Sequence, residues 1–335
     1  MKIQTAYVEI TNRCNLNCMT CYNRSGLNHV TKEMSPEQLE YIYLRFRPYG
    51  MRRLLISGGE PSLHSCFHEI LALADKYPEL TLGIVTNGTN CDSVLIDSLN
   101  TKPNMELQIS LDGASEEINR KIRGTGNFEK TLTFAKQITM REKPRLKMVI
   151  SKYNLEDVKP FYSLALSLGF QPEYAFIYRS GNACDNWEDK LLSTHDKIHV
   201  LKLLDKLNKE LDGDAFLPRC TSTCPFAEGS PDLSISIHVN GIMQPCQMLC
   251  DPLYSIGNAF SDDDDTLFSE LENTMIIAKQ RISTDYGCEK CFLKSVCGHG
   301  CMGAASVLTG DPLGDDGECS YRKSVCLGFE LEKKI

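Results

Sequence analysis

The chain has 335 residues, of which 42% are hydrophobic and 24% charged, so a wholly disordered protein is excluded. Its formal net charge of −8 argues against a protein that binds nucleic acids through their phosphates. Glu9 and Arg13 interrupt the N-terminal stretch, and no uncharged apolar run of about 18 residues occurs, so we expect neither a signal peptide nor a membrane-spanning helix. Sixteen cysteines in such a chain predict a cytoplasmic protein with reduced, metal-binding thiols.

Strand-like and helix-like segments alternate along the first part of the chain. Short runs rich in aliphatic residues predict six strands, at residues 6–10, 53–57, 80–86, 105–111, 146–151 and 173–178. Among the helical patterns between them, the clearest begins at Ser35, with Pro36 at the first helical position and Gln38 in the capping-box position. This alternation predicts an α/β fold with a parallel sheet, either doubly wound or barrel-like.

The second part of the chain has a different character. Residues 186–211 form an amphipathic pattern that predicts a packing helix, and cysteines become dense after it. We therefore predict a domain boundary near residue 215, which separates residues 1–215 from residues 216–335. The acidic run 261–265 lacks the glycine and the closing glutamate of an EF-hand loop, so we expect a solvated loop that opens a helix rather than a calcium site.

Three cysteines, Cys14, Cys18 and Cys21, follow the first predicted strand within eight residues. They can hold an iron–sulfur cluster but leave the fourth position without a thiolate, and such an iron can bind a substrate or cofactor. A zinc site is the alternative, with His29 as the fourth ligand in reach along the sequence.

The spacing Cys14-x3-Cys18-x2-Cys21, followed by an aromatic residue, resembles the signature of the radical S-adenosylmethionine (SAM) enzymes. Further segments at the ends of successive predicted strands resemble, in order, the family's positions around the methionyl amino group, the ribose and the carboxylate of the cofactor. The cofactor-binding positions that this resemblance implies are Tyr22, Gly58, Gly59, Glu60, Pro61, Thr86, Asn87, Ser110, Asp112 and Arg123.

This resemblance implies a partial (β/α)6 TIM-like barrel with its chemistry at the carboxyl ends of the strands. It further implies that the open iron of a [4Fe-4S] cluster chelates SAM, and that reductive cleavage yields methionine and a 5′-deoxyadenosyl radical, which abstracts hydrogen from an unactivated C–H bond. The expected protein is thus an oxidoreductase that takes electrons from a flavodoxin or ferredoxin.

The cysteines of the second part resemble the SPASM extension of radical SAM enzymes. The matching features are Gly241-x4-Cys246 and the run Cys288-x2-Cys291-x5-Cys297-x3-Cys301 with Cys319 beyond it. The resemblance implies two auxiliary [4Fe-4S] clusters, three clusters in all. Cys288, Cys291, Cys297 and Cys319 would hold one, and Cys246 and Cys301 with two upstream thiolates the other. Our choice for that pair is Cys220 and Cys224, with Cys250 as a competitor; zinc is the alternative metal.

Three functions are compatible with these patterns. The first, which we favour, is oxidative modification, by maturation or crosslinking, of a peptide or protein. The second is dehydrogenation or epimerisation of a small polar natural product such as an aminosugar, with Cys250 as the catalytic hydrogen donor. The first predicted strand begins within about ten residues, so we expect any leader peptide to be held by a separate protein or by the barrel itself, which adds weight to this second function. The third, a non-catalytic metal scaffold, does not require the ordered cofactor positions.

Overall fold

Strands from both parts of the chain form a single sheet. The computed structural model describes residues 1–27, 30–211, 213–215, 224–228, 230, 232–249, 252–283, 288, 290–293 and 300–332. Within these residues the strands are β1 (Lys2–Thr11), β2 (Arg53–Gly58), β3 (Thr81–Thr86), β4 (Met105–Ser110), β5 (Arg145–Ile150), β6 (Gln171–Phe176), β7 (Asp232–Ile237), β8 (Ile242–Gln244) and β9 (Gly257–Asn258). Their order in the sheet is β6-β5-β4-β3-β2-β1-β7-β8-β9.

The first six strands are parallel to one another, and each pairs with the next strand along the chain. Side chains alternate between the two faces of each strand. On β1, Val8 and Ile10 are completely buried in the main hydrophobic core. Polar side chains share the opposite face of neighbouring strands, where Glu106 of β4 forms ion pairs with Arg53 of β2 and Arg145 of β5. This is the α/β architecture of a partial barrel, and the predicted fold class is confirmed.

The sheet continues across the boundary predicted near residue 215. Strand β7 pairs with β1 in parallel, with Tyr7 opposite Ser236, and β8 and β9 follow in antiparallel pairing. The cysteine-rich part of the chain is therefore built directly onto the first strand of the barrel, and the loops that follow β1 and β7 emerge at the same edge.

Helices cover the sheet and connect its strands. They are α1 (Pro36–Phe46), α2 (Phe67–Leu71), α3 (Leu73–Lys76), α4 (Ser93–Thr101), α5 (Glu116–Arg123), α6 (Phe128–Ala135), α7 (Val158–Ser167), α8 (Trp187–Lys190), α9 (Thr194–Glu210), α10 (Pro225–Glu228), α11 (Asp264–Ser283), α12 (Met302–Thr309) and α13 (Cys319–Glu332). Within the described ranges, no helix is long and apolar enough to cross a lipid bilayer.

Local sequence signals explain where these helices begin. The predicted capping box of α1 is present, with Ser35 and Gln38 bonded reciprocally. The helix predicted over residues 186–211 is instead two helices, α8 and α9, because Ser193 and Asp196 form a second capping box that starts α9. The acidic run opens α11 as predicted, and Asp264 accepts a hydrogen bond of 2.7 Å from Arg45 of α1.

Candidate active site

The loop after β1, residues 12–24, carries the first three cysteines to the carboxyl edge of the sheet, and we call it the cysteine loop. Burial raises the pKa of the Cys14 thiol to about 12 and that of Cys18 to about 11. Such thiols keep their protons until a metal displaces them, so metal binding at this loop releases protons. The N–H of Leu16 already donates to Cys14 Sγ at 3.4 Å, as a hydrogen bond to a bound thiolate would.

Gly58 and Gly59, at the end of β2, lie against the backbone that leads from β1 into the cysteine loop. The N–H of Gly59 donates to the carbonyl oxygen of Thr11 at 2.7 Å, and that of Glu60 donates to Arg13 at 2.8 Å. A Cβ atom on Gly59 would lie 2.1 Å from the Arg13 oxygen, a distance that no side chain can occupy. These glycines therefore allow the end of β2 to approach the cysteine loop. The resemblance to radical SAM enzymes implied a role for them at the cofactor and did not include this one.

Glu60 is 1% exposed and its carboxylate links the ends of β2 and β3. Oε1 accepts hydrogen bonds from Ser62 and from the Thr86 hydroxyl, the latter at 2.6 Å, and Oε2 accepts one from the Asn87 N–H at 2.7 Å. Burial raises the pKa of this carboxyl group, while these donors oppose the shift. Pro61, buried beside it, begins a 3₁₀ turn over Pro61–Leu63.

Asn87 connects the end of β3 to the cysteine loop, since its Nδ2 donates to Asn15 Oδ1 at 3.0 Å. Thr86 and Asn87 are both buried, and the Thr131 hydroxyl holds the Asn87 carbonyl. Ser110 is the last residue of β4, the strand that pairs with β3 in the same sheet. The structure therefore brings these predicted positions to one edge of the barrel, around the cysteine loop.

Asp112 and Arg123 form a buried ion pair at this edge. Arg123 Nε lies 2.7 Å from Asp112 Oδ2, with the two side chains 11% and 0% exposed. Burial raises the pKa of the Cys18 thiol, and the charge of Arg123 opposes this shift by a smaller amount. The neighbouring Ile122 carbonyl accepts a hydrogen bond from Met19 at 2.9 Å. Helix α5 thus holds the middle of the cysteine loop.

Tyr22 directly follows Cys21 and contacts strand β1. Its hydroxyl donates to Glu9 Oε1 at 3.2 Å, and burial together with the Glu9 charge raises the pKa of the phenol. The side chain therefore faces β1 and the inner face of the barrel.

The segment after β6 also contacts the cysteine loop, which the sequence did not indicate. Asn182 Nδ2 donates to the carbonyl of Cys18 at 2.9 Å, and the Asn182 N–H donates to Cys21 at 2.8 Å. A Cβ atom on Gly181 would lie 2.3 Å from the Cys21 oxygen. The buried Lys190 in turn donates to the Asn182 carbonyl at 3.0 Å. No motif marks these residues, because the contact joins positions 164 apart in sequence.

A second group of thiols lies beyond β7. The partly buried Cys246 has its pKa raised to about 12 by removal from solvent and, to a lesser extent, by Cys301 and Cys224. Asp316, paired with Arg322 at 2.7 Å, accepts a hydrogen bond from the N–H of Cys301. Three predicted ligands of one auxiliary cluster are therefore neighbours.

Other predicted ligands of this part are described less completely. The N–H of Cys291 donates to the Cys288 carbonyl at 3.0 Å, and Cys319 begins α13. Cys220, Cys250 and Cys297 lie outside the described residues, as does His29.

The chemistry of these cysteine groups fits iron–sulfur clusters. Within the described ranges, no three His, Cys, Asp or Glu side chains converge as one metal ion would require. Three cysteines within eight residues suit a [4Fe-4S] cluster, in which each cysteine binds its own iron. Residues 8–165, which contain the cysteine loop and the ends of β2, β3 and β4, match the Radical SAM superfamily.

The chain is a radical SAM enzyme. Three curated relatives are similar to nearly its whole length. Mycofactocin maturase MftC of Mycolicibacterium smegmatis is 26% identical over 93% of this chain and 81% of its own. AdoMet-dependent heme synthase of Methanosarcina barkeri is 25% identical over 94% and 95%. PqqA peptide cyclase of Ruegeria pomeroyi is 25% identical over 93% and 86%.

Solved structures agree on the fold of this radical SAM enzyme. Streptococcus suis SuiB bound to its precursor peptide SuiA superimposes with a TM-score of 0.75, at 15% identity over 95% of this chain and 76% of SuiB. The enzyme anSMEcpe with bound AdoMet and the Cp18Cys peptide gives 0.75 at 18% identity over the full length of both chains. The predicted recognition as a radical SAM enzyme, with SAM and a [4Fe-4S] cluster as its cofactors, is confirmed.

Proposed function

We propose that this radical SAM enzyme oxidatively modifies a peptide substrate. The observation that carries this proposal is the near full-length similarity to maturases and peptide-modifying enzymes, which extends through the cysteine-rich part of the chain. When bound at a reduced four-iron cluster, SAM supplies a carbon radical that takes a hydrogen atom from an unactivated C–H bond. The residues of the chain hold the cluster, orient the cofactor and keep water away.

We assign the cluster to Cys14, Cys18 and Cys21, on the loop held by β2, α5 and the segment after β6. The SAM site lies along the edge of the sheet formed by the ends of β2, β3 and β4. In this proposal Glu60 mainly positions its neighbours, because its carboxylate already accepts four hydrogen bonds from three residues and a carboxylate has about four acceptor sites in all. Arg123 is the remaining candidate for the cofactor carboxylate.

A cavity lies between the cysteine loop and the hairpin of β7 and β8. We call it the loop–hairpin cavity; its volume is about 180 Å³ and its wall includes Glu9, Tyr22, His238 and Gln244.

This proposal is tested with synthetic peptides translated from short reading frames beside the gene. Reconstituted enzyme, SAM and dithionite should convert one of them to a product about two mass units lighter, with 5′-deoxyadenosine formed in parallel. Modification of a small molecule alone would contradict the proposal. If the wild-type enzyme incorporates deuterium from the solvent at the attacked carbon, and a Cys250→Ala variant does not, the reaction is an epimerisation.

We also propose that residues 216–335 form a SPASM unit with two auxiliary clusters. The neighbouring thiols of Cys224, Cys246 and Cys301 support the first of these, with Cys220 or Cys250 as the fourth ligand. Cys288, Cys291, Cys297 and Cys319 are the proposed ligands of the second. Oxygen-sensitive clusters and reduced thiols favour a cytoplasmic location, and a flavodoxin or ferredoxin as electron donor.

The iron content provides a direct measurement of the cluster number. Anaerobically purified protein should carry about twelve irons per chain, four for each of three clusters. Replacing Cys14, Cys18 and Cys21 together by Ala should leave about eight, whereas Cys184→Ala, at an exposed cysteine outside all three groups, should leave the content unchanged. Tightly bound zinc with negligible iron would exclude this assignment.

A further inference from the structure

A buried carboxylate stands in the wall of the loop–hairpin cavity. Glu9 lies on β1 and is 5% exposed. Its Oε1 accepts hydrogen bonds from the Tyr22 hydroxyl and from Asn23 Nδ2, at 3.2 and 2.9 Å, and its Oε2 lies 2.8 Å from His238 Nδ1. A buried charged group is costly unless it is paired and hydrogen-bonded, and these three partners meet that requirement.

His238 is the titratable partner of this carboxylate. The hydrogen bond with Glu9 raises its pKa, against a smaller opposing effect of burial. Its Nε2 lies 2.8 Å from the side-chain amide of Gln244, which can turn either its oxygen or its NH2 group towards the ring. The imidazole therefore keeps two hydrogen-bond partners whether it is protonated or neutral.

The other charged or titratable groups at the cavity come from the cysteine loop. Among the described residues that line the cavity, they are the phenol of Tyr22 and the guanidinium of Arg24, which forms an ion pair of 2.8 Å with Asp185. Since the charge of Arg24 is balanced by Asp185, Glu9 is the main electrostatic influence on His238.

The cavity lies between the two cysteine-bearing segments of the chain. Tyr22 directly follows Cys21, and Gln244 precedes Cys246 by two residues. A substrate residue in this space borders both the loop proposed to hold the SAM cluster and the hairpin proposed to ligate an auxiliary cluster. Oxidation of a C–H bond beside a polar X–H group removes a hydrogen atom, an electron and a proton, so a proton acceptor is needed here as well.

We propose that the Glu9–His238 pair accepts the proton that the substrate loses when it is oxidised in the loop–hairpin cavity. The proposal rests on the proposed function and names the substrate group as an O–H, N–H or S–H next to the attacked carbon. The C–H bond breaks and its hydrogen atom goes to the adenosyl carbon. The X–H bond breaks and its proton goes to the pair, while one electron goes to an oxidised iron–sulfur cluster and the carbon–X single bond becomes a double bond. The X–H group bonds to His238 Nε2 in place of Gln244.

The test uses the peptide that the wild-type enzyme modifies, and compares His238→Gln with His199→Gln, a matched change on the exposed side of α9. Product formation should fall about 100-fold in His238→Gln, as for loss of a general base, and remain normal in the control. Because hydrogen abstraction precedes proton loss, 5′-deoxyadenosine should still form, so the ratio of product to 5′-deoxyadenosine should fall. The affinity for the peptide is measured by fluorescence anisotropy with oxidised enzyme and no reductant. In His238→Gln it should change by a smaller factor than the ratio of product to 5′-deoxyadenosine.

The pH profile separates a proton acceptor from a structural role. Product formation should rise with pH as His238 loses its proton, and in Glu9→Gln this rise should move to lower pH, because the carboxylate raises the pKa of the imidazole. An unchanged ratio of product to 5′-deoxyadenosine in His238→Gln would overturn this inference and leave the proposed function standing. An unshifted pH profile in Glu9→Gln would do the same. If His238→Gln loses iron, its lower product formation has a structural cause, and the pH profile of Glu9→Gln then tests the inference. A wild-type enzyme that modifies no peptide would overturn the proposed function, and this inference with it.

Discussion

Gly59→Ala is expected to lose the irons of the first cluster, about a third of the total if three clusters are present. The new Cβ atom would lie 2.1 Å from the Arg13 oxygen and 2.9 Å from the Cys14 nitrogen. Both are backbone atoms that follow β1 directly, so the cysteine loop itself must move. The change can be measured as iron per chain in anaerobic protein and as the SAM-dependent part of the electron paramagnetic resonance spectrum of the reduced enzyme.

Gly310→Ala serves as the control for this experiment. Its Cβ atom would have no neighbour within 4 Å, and only its φ of +76° disfavours a side chain, at a cost of about 1–2 kcal/mol. This variant should keep its full iron content. A Gly59→Ala enzyme with wild-type iron and wild-type SAM binding would show that the approach of β2 to the cysteine loop is not needed for the cluster.

Arg123→Met should lower the free energy of unfolding by about 3–5 kcal/mol, because it leaves Asp112 buried without its ionic partner. Urea unfolding of the anaerobic holoenzyme measures this effect. Arg120→Met, on the exposed side of the same helix, should change the stability by no more than about 0.5 kcal/mol. Equal stabilities of these two variants would contradict the role assigned to the ion pair.

A double variant separates the ion pair from a role in cofactor binding. Asp112→Asn combined with Arg123→Met removes both charges, so part of the lost stability should return. Arg123→Met should also lower the affinity for SAM, since the guanidinium proposed for the cofactor carboxylate is absent. The double variant should have the same low affinity for SAM. Recovery of both stability and affinity would limit Arg123 to holding the cysteine loop through Asp112.

Short-range patterns predicted much of the fold. All six barrel strands lie within a few residues of their predicted positions, and the capping box at Ser35 begins α1 as expected. The predicted helix over residues 186–211 was wrong in one respect, because the capping box at Ser193 divides it. That signal was present in the sequence but was outweighed by the longer apolar pattern.

The candidate site was predicted only in part. The order of motifs placed the cysteines, Glu60 and Asn87 at the ends of successive strands, and these positions do meet at one edge of the sheet. The partners of each side chain could not be predicted in the same way. Asp112 and Arg123 were both expected to contact the cofactor, and the structure pairs them with each other.

The sequence by itself determined the strand–helix alternation, the helix starts and the cysteine spacing, because each depends on residues close together along the chain. Only the tertiary structure decided that β7 pairs with β1, that Asn182 holds the cysteine loop, and that Glu9 meets His238, 229 positions away. Such contacts depend on which strands become neighbours and in which register, and strand pairing leaves no local pattern in a single sequence. A buried carboxylate such as Glu9 requires hydrogen-bond partners, but its own sequence position does not determine which they are. They come from the segments that the fold brings near it.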